Sequence, residues 1–223
     1  MAILAVALAG AATACRANEP LSDPGHDIGR DFGEELRWFE AAAAKGHAEA
    51  QYRLGLIFEQ GVKVAPDAEK ARYWYGRAAE QNHSAAQFRL ANLLQHGIGG
   101  EADAAAATQW YRAAADQGLA PARYNLAVIL DLGLGVASDP IAAALLYELA
   151  ARDGLGQAAA GLGMLYLEGR GVAADRVIAL AWLTIAAESG VTGAAAVRDD
   201  LLATLNEAER SRLAAEIKAL GGG

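Results

Sequence analysis

Apolar positions recur along this chain at helical spacing within each segment, and the segments themselves recur every 36 residues. In residues 47–82, Ala50, Leu54 and Phe58 follow one another at intervals of four, the spacing of one helix face. Gly61 comes next and predicts the end of this helix, because glycine enters the left-handed conformation of a helix C-terminus without steric penalty.

A second helix is predicted to begin at Asp67, whose carboxylate can accept hydrogen bonds from the free amides of the first turn. Its apolar face comprises Ala71, Trp74, Tyr75, Ala78 and Ala79. Asn82 is expected to close the helix in a left-handed turn, a conformation that asparagine tolerates. Each segment is therefore predicted to be an antiparallel helix pair.

Four such units follow one another in register: residues 47–82, 83–118, 119–154 and 155–190. A fixed period of this length is typical of a solenoid, in which each unit is stable only when stacked on its neighbours. The tryptophans keep the period too, and we expect their rings to pack in the core between helix pairs rather than to stack on a ligand: Trp38, Trp74, Trp110 and Trp182. Small residues one position after each first-helix leucine should let another helix approach closely: Gly55, Ala91, Ala127 and Gly163.

The repeat pattern weakens at both ends of the chain. Residues 30–46 keep only the second-helix positions and are predicted to be a half repeat that caps the array. Residues 192–223 lose the motif and gain charge, which predicts capping helices with one face in water. Residues 16–29 contain Pro20 and Pro24 and are predicted to be a linker.

The first fourteen residues are apolar and too few to span a bilayer as a helix. Residues 1–15 are similar to a secretory signal peptide or to a bacterial lipoprotein signal, in which Cys15 would become the lipidated first residue. Cleavage after Ala14 or Ala17 and a free apolar tail are the alternatives. Export is therefore expected, to the periplasm or, with a lipid, to the outer membrane.

The net charge of −8 and the pI of about 5.0 argue against nucleic acid as a partner, because phosphate recognition needs clustered lysine and arginine. They also argue against electrostatic attachment to an anionic bilayer, so membrane contact is expected only through an N-terminal lipid. No group of cysteine and histidine has the spacing of a zinc site, and we predict neither a metal nor another cofactor.

The repeated residues resemble the Sel1-like repeat family, which is related to the tetratricopeptide repeats. The family pattern is met at Leu162-Gly163, Tyr166, Gly169, Gly171-Val172 and Asp175, and again at Asp67, Lys70-Ala71, Trp74-Tyr75 and Ala78-Ala79. Lys63 and Leu146 depart from it. The resemblance implies an all-α fold, a right-handed α-α superhelix, that mediates protein–protein contacts, often as an adaptor in bacterial envelopes.

The first helices line the concave face in solenoids of this kind, and two 36-residue rows run along them. One row is aromatic and the other is largely basic: Tyr52, Phe88 and Tyr124, with Arg53, Arg89 and Asn125 beside them. Arginines next to rings can hold a carboxylate or an acidic peptide, so these six residues are the predicted partner-binding residues. The alternative is that the aromatic residues pack within the fold.

No serine or cysteine nucleophile pairs with a histidine and an acid within one unit, so we predict no catalytic residue. The expected function is a non-enzymatic scaffold or adaptor for a protein or peptide in the bacterial cell envelope. Two alternatives remain. One is a hydrolase that acts on β-lactams or cell-wall peptides, because some cysteine-rich members of the family resemble β-lactamases. The other is a secreted, host-directed factor.

Overall fold

The structure is a computed structural model that describes residues 32–220, in which eleven α-helices and no strand are present. In chain order the helices are α1 Phe32–Ala44, α2 Ala48–Gln60, α3 Ala68–Ala79, α4 Ser84–His96, α5 Ala104–Asp116, α6 Ala120–Leu132, α7 Pro140–Arg152, α8 Gly156–Glu168, α9 Arg176–Glu188, α10 Ala194–Thr204 and α11 Glu207–Leu220. None of the helices described is long and apolar enough to cross a membrane. Cys15 and the predicted leader and linker lie outside the described residues.

The described residues form two compact units, an N-terminal unit of residues 32–122 and a C-terminal unit of residues 123–220. In the N-terminal unit α2 packs on α3 and α4 packs on α5, while α1 packs on α2. In the C-terminal unit α8 packs on α7 and α9, and α9 in turn packs on α10 and α11. The prediction of an all-α solenoid of helix pairs is confirmed.

Aspartates begin the second helix of every repeat, as the sequence predicts. The carboxylate of Asp67 accepts a hydrogen bond from the amide of Lys70 at 3.0 Å, and Asp103, Asp139 and Asp175 cap α5, α7 and α9 in the same way. Such a cap stabilises a helix by about 1 kcal/mol. The predicted left-handed turn at Asn82 is also present, with a φ of 62°.

In α3, α5 and α7 the core aromatic residue is a tyrosine, whereas in α9 it is Trp182. Tyr75 and Tyr111 are fully buried, whereas Trp38 is 52% exposed and, among the tryptophans, only Trp182 is buried, at 4% exposure. The prediction that the four indole rings pack in the core is therefore confirmed for Trp182 and wrong for Trp38. Trp74 and Trp110 are half-buried, and Trp74 packs against the core cluster of the first repeat. Tyr75 lies four residues from both Ala71 and Ala79, which are buried, so it shares their face; Trp74 is rotated from that face by about 100°.

Small residues allow the two helices of a repeat to approach closely. A β-carbon on Gly55 would collide with the ring of Tyr75, and one on Gly163 would lie 2.9 Å from Cγ of Leu183. Ala91 and Ala127 occupy the equivalent positions and are fully buried. The close approach that the sequence predicts at these positions is therefore present.

The loop glycines serve a second purpose beyond their left-handed backbone. Gly99 and Gly171 have φ values of 72° and 70°, and a β-carbon on either would collide with a backbone carbonyl, that of Ala68 or Pro140. Each loop therefore lies directly on the start of the preceding repeat's second helix. Lys63, which replaces this glycine in the first repeat, keeps the left-handed conformation with a φ of 56°.

The last two helices cover the face of α9. Leu205 and Leu213 form a buried cluster with Val177, Leu180 and Ala181. Arg212 on α11 also pairs with the cap carboxylate Asp175 at 2.6 Å. Helices α10 and α11 thus shield apolar residues that the last repeat would otherwise expose.

Candidate functional site

The predicted contact residues of the N-terminal unit lie on α2 and α4. The ring of Tyr52 stacks on His83 at a centroid distance of 4.6 Å and lies 5.8 Å from the ring of Tyr75. Phe88 is placed in the same way against Tyr111, at 5.9 Å. Tyr52 and Phe88 are half-buried, so each packs on a core tyrosine and keeps part of its side chain accessible.

Both predicted contact arginines are paired with carboxylates. Arg53 Nε lies 2.6 Å from Glu49 one turn earlier, and Arg89 lies 3.6 Å from Glu59 of the preceding first helix. Glu49 also accepts a hydrogen bond from Nε2 of His83 at 3.0 Å. Burial opposes ionisation of Glu49, but the hydrogen bonds from His83 and Arg53 outweigh it and lower its pKa. The surface of α2 and α4 around these residues therefore carries positive and negative charges side by side, a charge mosaic, and is not a basic patch.

The hydroxyl of Tyr75 connects the core to this face. It donates to Glu59 at 2.5 Å, and burial, followed by the neighbouring Glu59 carboxylate, raises the pKa of Tyr75 far above its usual value. Burial also raises the pKa of Tyr52, partly offset by Arg89. The connected groups, which we call the first-helix network, are Glu49, Arg53, Tyr52, His83, Arg89, Glu59 and Tyr75.

His83 has a structural role within this network. Its Nδ1 accepts a hydrogen bond from the amide of Ala86 at 3.2 Å, so His83 is the N-cap of α4. With Nδ1 accepting, the geometry assigns the proton of the neutral ring to Nε2, which donates to Glu49. In the part of the chain that the structure describes, no three His, Cys, Asp or Glu residues are grouped as metal ligands.

The remaining predicted contact residues belong to the C-terminal unit. Tyr124 is only 4% exposed and packs its ring against Tyr147 at 6.0 Å. Burial raises the pKa of Tyr124 to about 12. Asn125 is half-buried beside it on α6. Tyr124 thus offers little area to a partner and contributes mainly to packing, the alternative that the sequence left open.

A row of buried glutamines supports this face, and sequence reasoning missed it. Gln51 is 1% exposed; it donates to the carbonyl of Ala43 at 3.1 Å and accepts from Gln81 at 2.6 Å. Gln87 makes the equivalent bonds to the Ala79 carbonyl and Gln117, at 3.2 and 2.7 Å. Each glutamine therefore connects a first helix to the preceding repeat and to its own second helix. The 36-residue step between the glutamines was the available signal.

In the C-terminal unit, an acidic residue, Asp131, likewise lies near a core tyrosine, Tyr147. Asp131 occupies the position of Glu59 two repeats later and is paired with Arg170, which also binds Glu168 at 2.5 Å. Burial and the nearby Asp131 raise the pKa of Tyr147. These groups hold hydrogen-bond donors and acceptors at fixed positions, an arrangement suited to recognition.

Comparison with known proteins agrees with this geometry. The Sel1 repeat family model matches residues 23–47, 48–83, 84–119, 120–155 and 156–191. The crystal structure of a Sel1 repeat protein from Oxalobacter formigenes is 36% identical, with a TM-score of 0.66, over 70% of this chain and 64% of that one. A protective antigen of uropathogenic Escherichia coli strains that displays an SLR fold is 29% identical, with a TM-score of 0.55, over 86% of this chain and 49% of its own.

The chain thus spans about two thirds and about half of the length of these two solved structures. No curated protein sequence matches it. The family model covers most of the chain, and its repeats coincide with the helix pairs, the capping aspartates and the loop glycines described above. The chain belongs to the Sel1 repeat family.

Proposed function

We propose that this chain is a non-enzymatic adaptor of the bacterial cell envelope that holds a protein or peptide partner against α2 and α4. Sel1 repeats generally mediate protein–protein interactions, which supports the general class of this function. The particular face is proposed from the first-helix network, and the location from the N-terminal sequence.

The observation that carries the proposal is the fixed geometry of the first-helix network. Tyr52 is held by stacking on His83, and Arg53 is held by Glu49. Binding usually costs about 0.5–1.5 kcal/mol for each flexible side chain that becomes immobilised. Side chains that are already ordered in the free protein avoid much of this cost, so a small number of contacts suffices for specific binding.

The charges of the network indicate the kind of segment that fits. The side chains of Arg53 and Arg89 are 34% and 23% exposed, so each is partly accessible although its guanidinium group has a carboxylate partner. A guanidinium has five donors and can serve a second acceptor. Glu49, at 59% side-chain exposure, offers an acceptor to a basic residue. A partner segment with both charges would match this mosaic better than a uniformly acidic one.

Site-specific photo-crosslinking in intact cells tests the proposed face. A photoreactive phenylalanine analogue at Phe88 should form a discrete adduct with a protein partner, and the same analogue at Gln109, an exposed position of α5, is the matched control. Arg53→Glu with Arg89→Glu should abolish the adduct, because both guanidinium groups are reversed. Arg77→Glu with Arg112→Glu changes the charge equally on α3 and α5 and should leave it intact.

An equal adduct from both photoreactive positions, or an unchanged adduct in the Arg53→Glu, Arg89→Glu variant, would place the partner elsewhere. Circular dichroism of every variant must show unchanged helicity for the comparison to count. The location is tested separately, by mass spectrometry of the mature N-terminus. A diacylated Cys15 supports a lipid anchor, cleavage after Ala14 or Ala17 supports a soluble exported form, and an intact Met1 contradicts export.

A further inference from the structure

Helix α7 carries an apolar stripe on its outward face. Ile141, Leu145 and Leu149 are spaced one turn apart, and their exposed fractions are 71%, 59% and 37%. Charged residues lie beside the stripe, where Arg152 pairs with Glu148 at 2.8 Å. Single exposed apolar residues are common on protein surfaces and need no explanation. Adjacent exposed apolar side chains with a polar border are instead typical of a binding surface.

The same positions in the other second helices show that this stripe is not a property of the repeat. Thirty-six and 72 residues earlier, the three positions hold mostly polar or small residues: Ala105, Gln109 and Ala113 in α5, and Glu69, Tyr73 and Arg77 in α3. In α9 the positions again hold apolar residues: Val177, Ala181 and Ile185.

The difference between α7 and α9 is that the face of α9 is covered. Val177 and Ala181 are 2% and 0% exposed, because they pack in a cluster with Leu205 and Leu213 at the C-terminal end of the chain. Helix α11 contributes Leu213, with Ile217 partly buried one turn later. Within the C-terminal unit, the apolar face that these positions form on a second helix is therefore a surface on which an amphipathic helix packs.

We infer that Ile141, Leu145 and Leu149 form a docking surface for an amphipathic helix of a partner protein. That helix would present leucine or isoleucine on successive turns, with charged residues beside them to meet Glu148 and Arg152. Helix α11 has this chemistry: its apolar residues follow one another at Leu213, Ile217 and Leu220, and the rest of its surface is mostly charged or alanine. The surface shares no residue with the first-helix network, so the two proposals stand or fall independently.

A synthetic peptide of residues 205–220, labelled with fluorescein, is the probe. Fluorescence anisotropy against the full chain should show saturable binding. Ile141→Glu with Leu145→Glu should weaken it by about tenfold or more, as expected when two central apolar contacts of an interface are lost. Ala105→Glu with Gln109→Glu introduces the same charges at the same register positions of α5 and should leave binding unchanged.

Three outcomes would overturn the inference. Absence of binding does so directly, and equal binding to the stripe variant means that the peptide exchanges with α11 over α9. Self-association of the wild-type chain in sedimentation equilibrium, lost in the variant, would make a second copy the occupant. Because the changed residues are exposed, helicity should persist; if it does not, Ile141→Gln with Leu145→Gln provides the same comparison without added charge.

Discussion

Arg123 donates a hydrogen bond to Asp153 at 2.6 Å, in the two positions that Gln51 and Gln81 hold two repeats earlier. An ion pair therefore replaces an amide–amide hydrogen bond, and both partners differ together. In the last repeat the positions hold Ala159 and Ser189. The connection between a first helix and its own second helix is thus made by two different chemistries in this chain, whereas in the last repeat the hydroxyl of Ser189 donates to the carbonyl of Ile185 instead.

Transfer of the ion pair to the first repeat tests this equivalence. Gln51→Arg alone should lower the free energy of unfolding by about 2–4 kcal/mol, because it places a charge without a carboxylate at a position that is 1% exposed. Gln51→Arg with Gln81→Asp should recover part of the loss, with a coupling energy of about 1–3 kcal/mol. Urea denaturation followed by circular dichroism measures both.

The control for this cycle pairs residues from different repeats. Gln87→Arg with Gln81→Asp joins residues that are not hydrogen-bonded partners, since Gln87 accepts from Gln117. The coupling energy of this pair should be near zero. A coupling as large as that of the matched pair would mean that general charge balance, and not the connection itself, restores stability.

Gly55 should resist even the smallest side chain. Gly55→Ala is expected to destabilise the chain by about 1–3 kcal/mol, because its β-carbon would collide with the ring of Tyr75 and overpack the contact. Gly76→Ala is the matched control in the paired helix. No atom lies within 4 Å of its would-be β-carbon, so it should stabilise by up to about 1 kcal/mol through helix propensity. Thermal unfolding of both variants checks the opposite signs.

Gly171 combines two costs that can be separated by experiment. Gly171→Ala should destabilise by about 2–4 kcal/mol, as the sum of left-handed strain and a collision with the carbonyl of Pro140. Gly190 has a φ of 77° and no neighbour within 4 Å, so Gly190→Ala should show only the strain, about 1–2 kcal/mol. Equal losses in urea denaturation would mean that the loop contact contributes nothing.

Alkaline solutions should weaken the fold through buried tyrosines. Burial raises the pKa of Tyr124 to about 12, whereas an unfolded tyrosine has a pKa of about 10. The neutral hydroxyl is favoured in the fold, so this contribution is complete below a pH of about 10 and is lost as the pH rises towards 12, by about 1.4 kcal/mol per pH unit. Tyr124→Phe should make this decline shallower by that amount.

The measurement for Tyr124 is the free energy of unfolding as a function of pH in urea. The same variant near neutral pH is the control, since there it reports only the packing effect of the lost hydroxyl. A decline with the wild-type slope in Tyr124→Phe would show that this residue is not among the groups that link stability to alkaline pH.

Much of the fold could be predicted from the sequence because its cues are local. A capping aspartate such as Asp67 and a terminal glycine such as Gly61 act within one turn, and the structure has both where expected. The 36-residue period could not show which of Trp74 and Tyr75 faces the core, because both residues recur with that period. The better guide was the spacing of four that places Tyr75, but not Trp74, between Ala71 and Ala79.

The candidate site was only partly predictable for a different reason. The sequence located Arg53 and Arg89 on the first helices, but their partners Glu49 and Glu59 become evident only when helices are packed. Tyr124 belongs to the same row as Tyr52, yet it is buried while Tyr52 is half-buried. The burial of Gln51 could not be predicted from local pattern, because its hydrogen-bond partners lie 8 and 30 positions away.

The buried glutamines also bear on how such a chain can lengthen. Gln87 donates a hydrogen bond to the carbonyl of Ala79 and accepts one from Gln117. Every donor and acceptor of this connection therefore lies within 36 residues of its partner. Duplication of a whole 36-residue block in a gene would reproduce each pairing at the new junction. An in-frame insertion of another length within a helix would shift the glutamine relative to its partners and leave an interior amide without a hydrogen bond, which favours growth of the array by entire units.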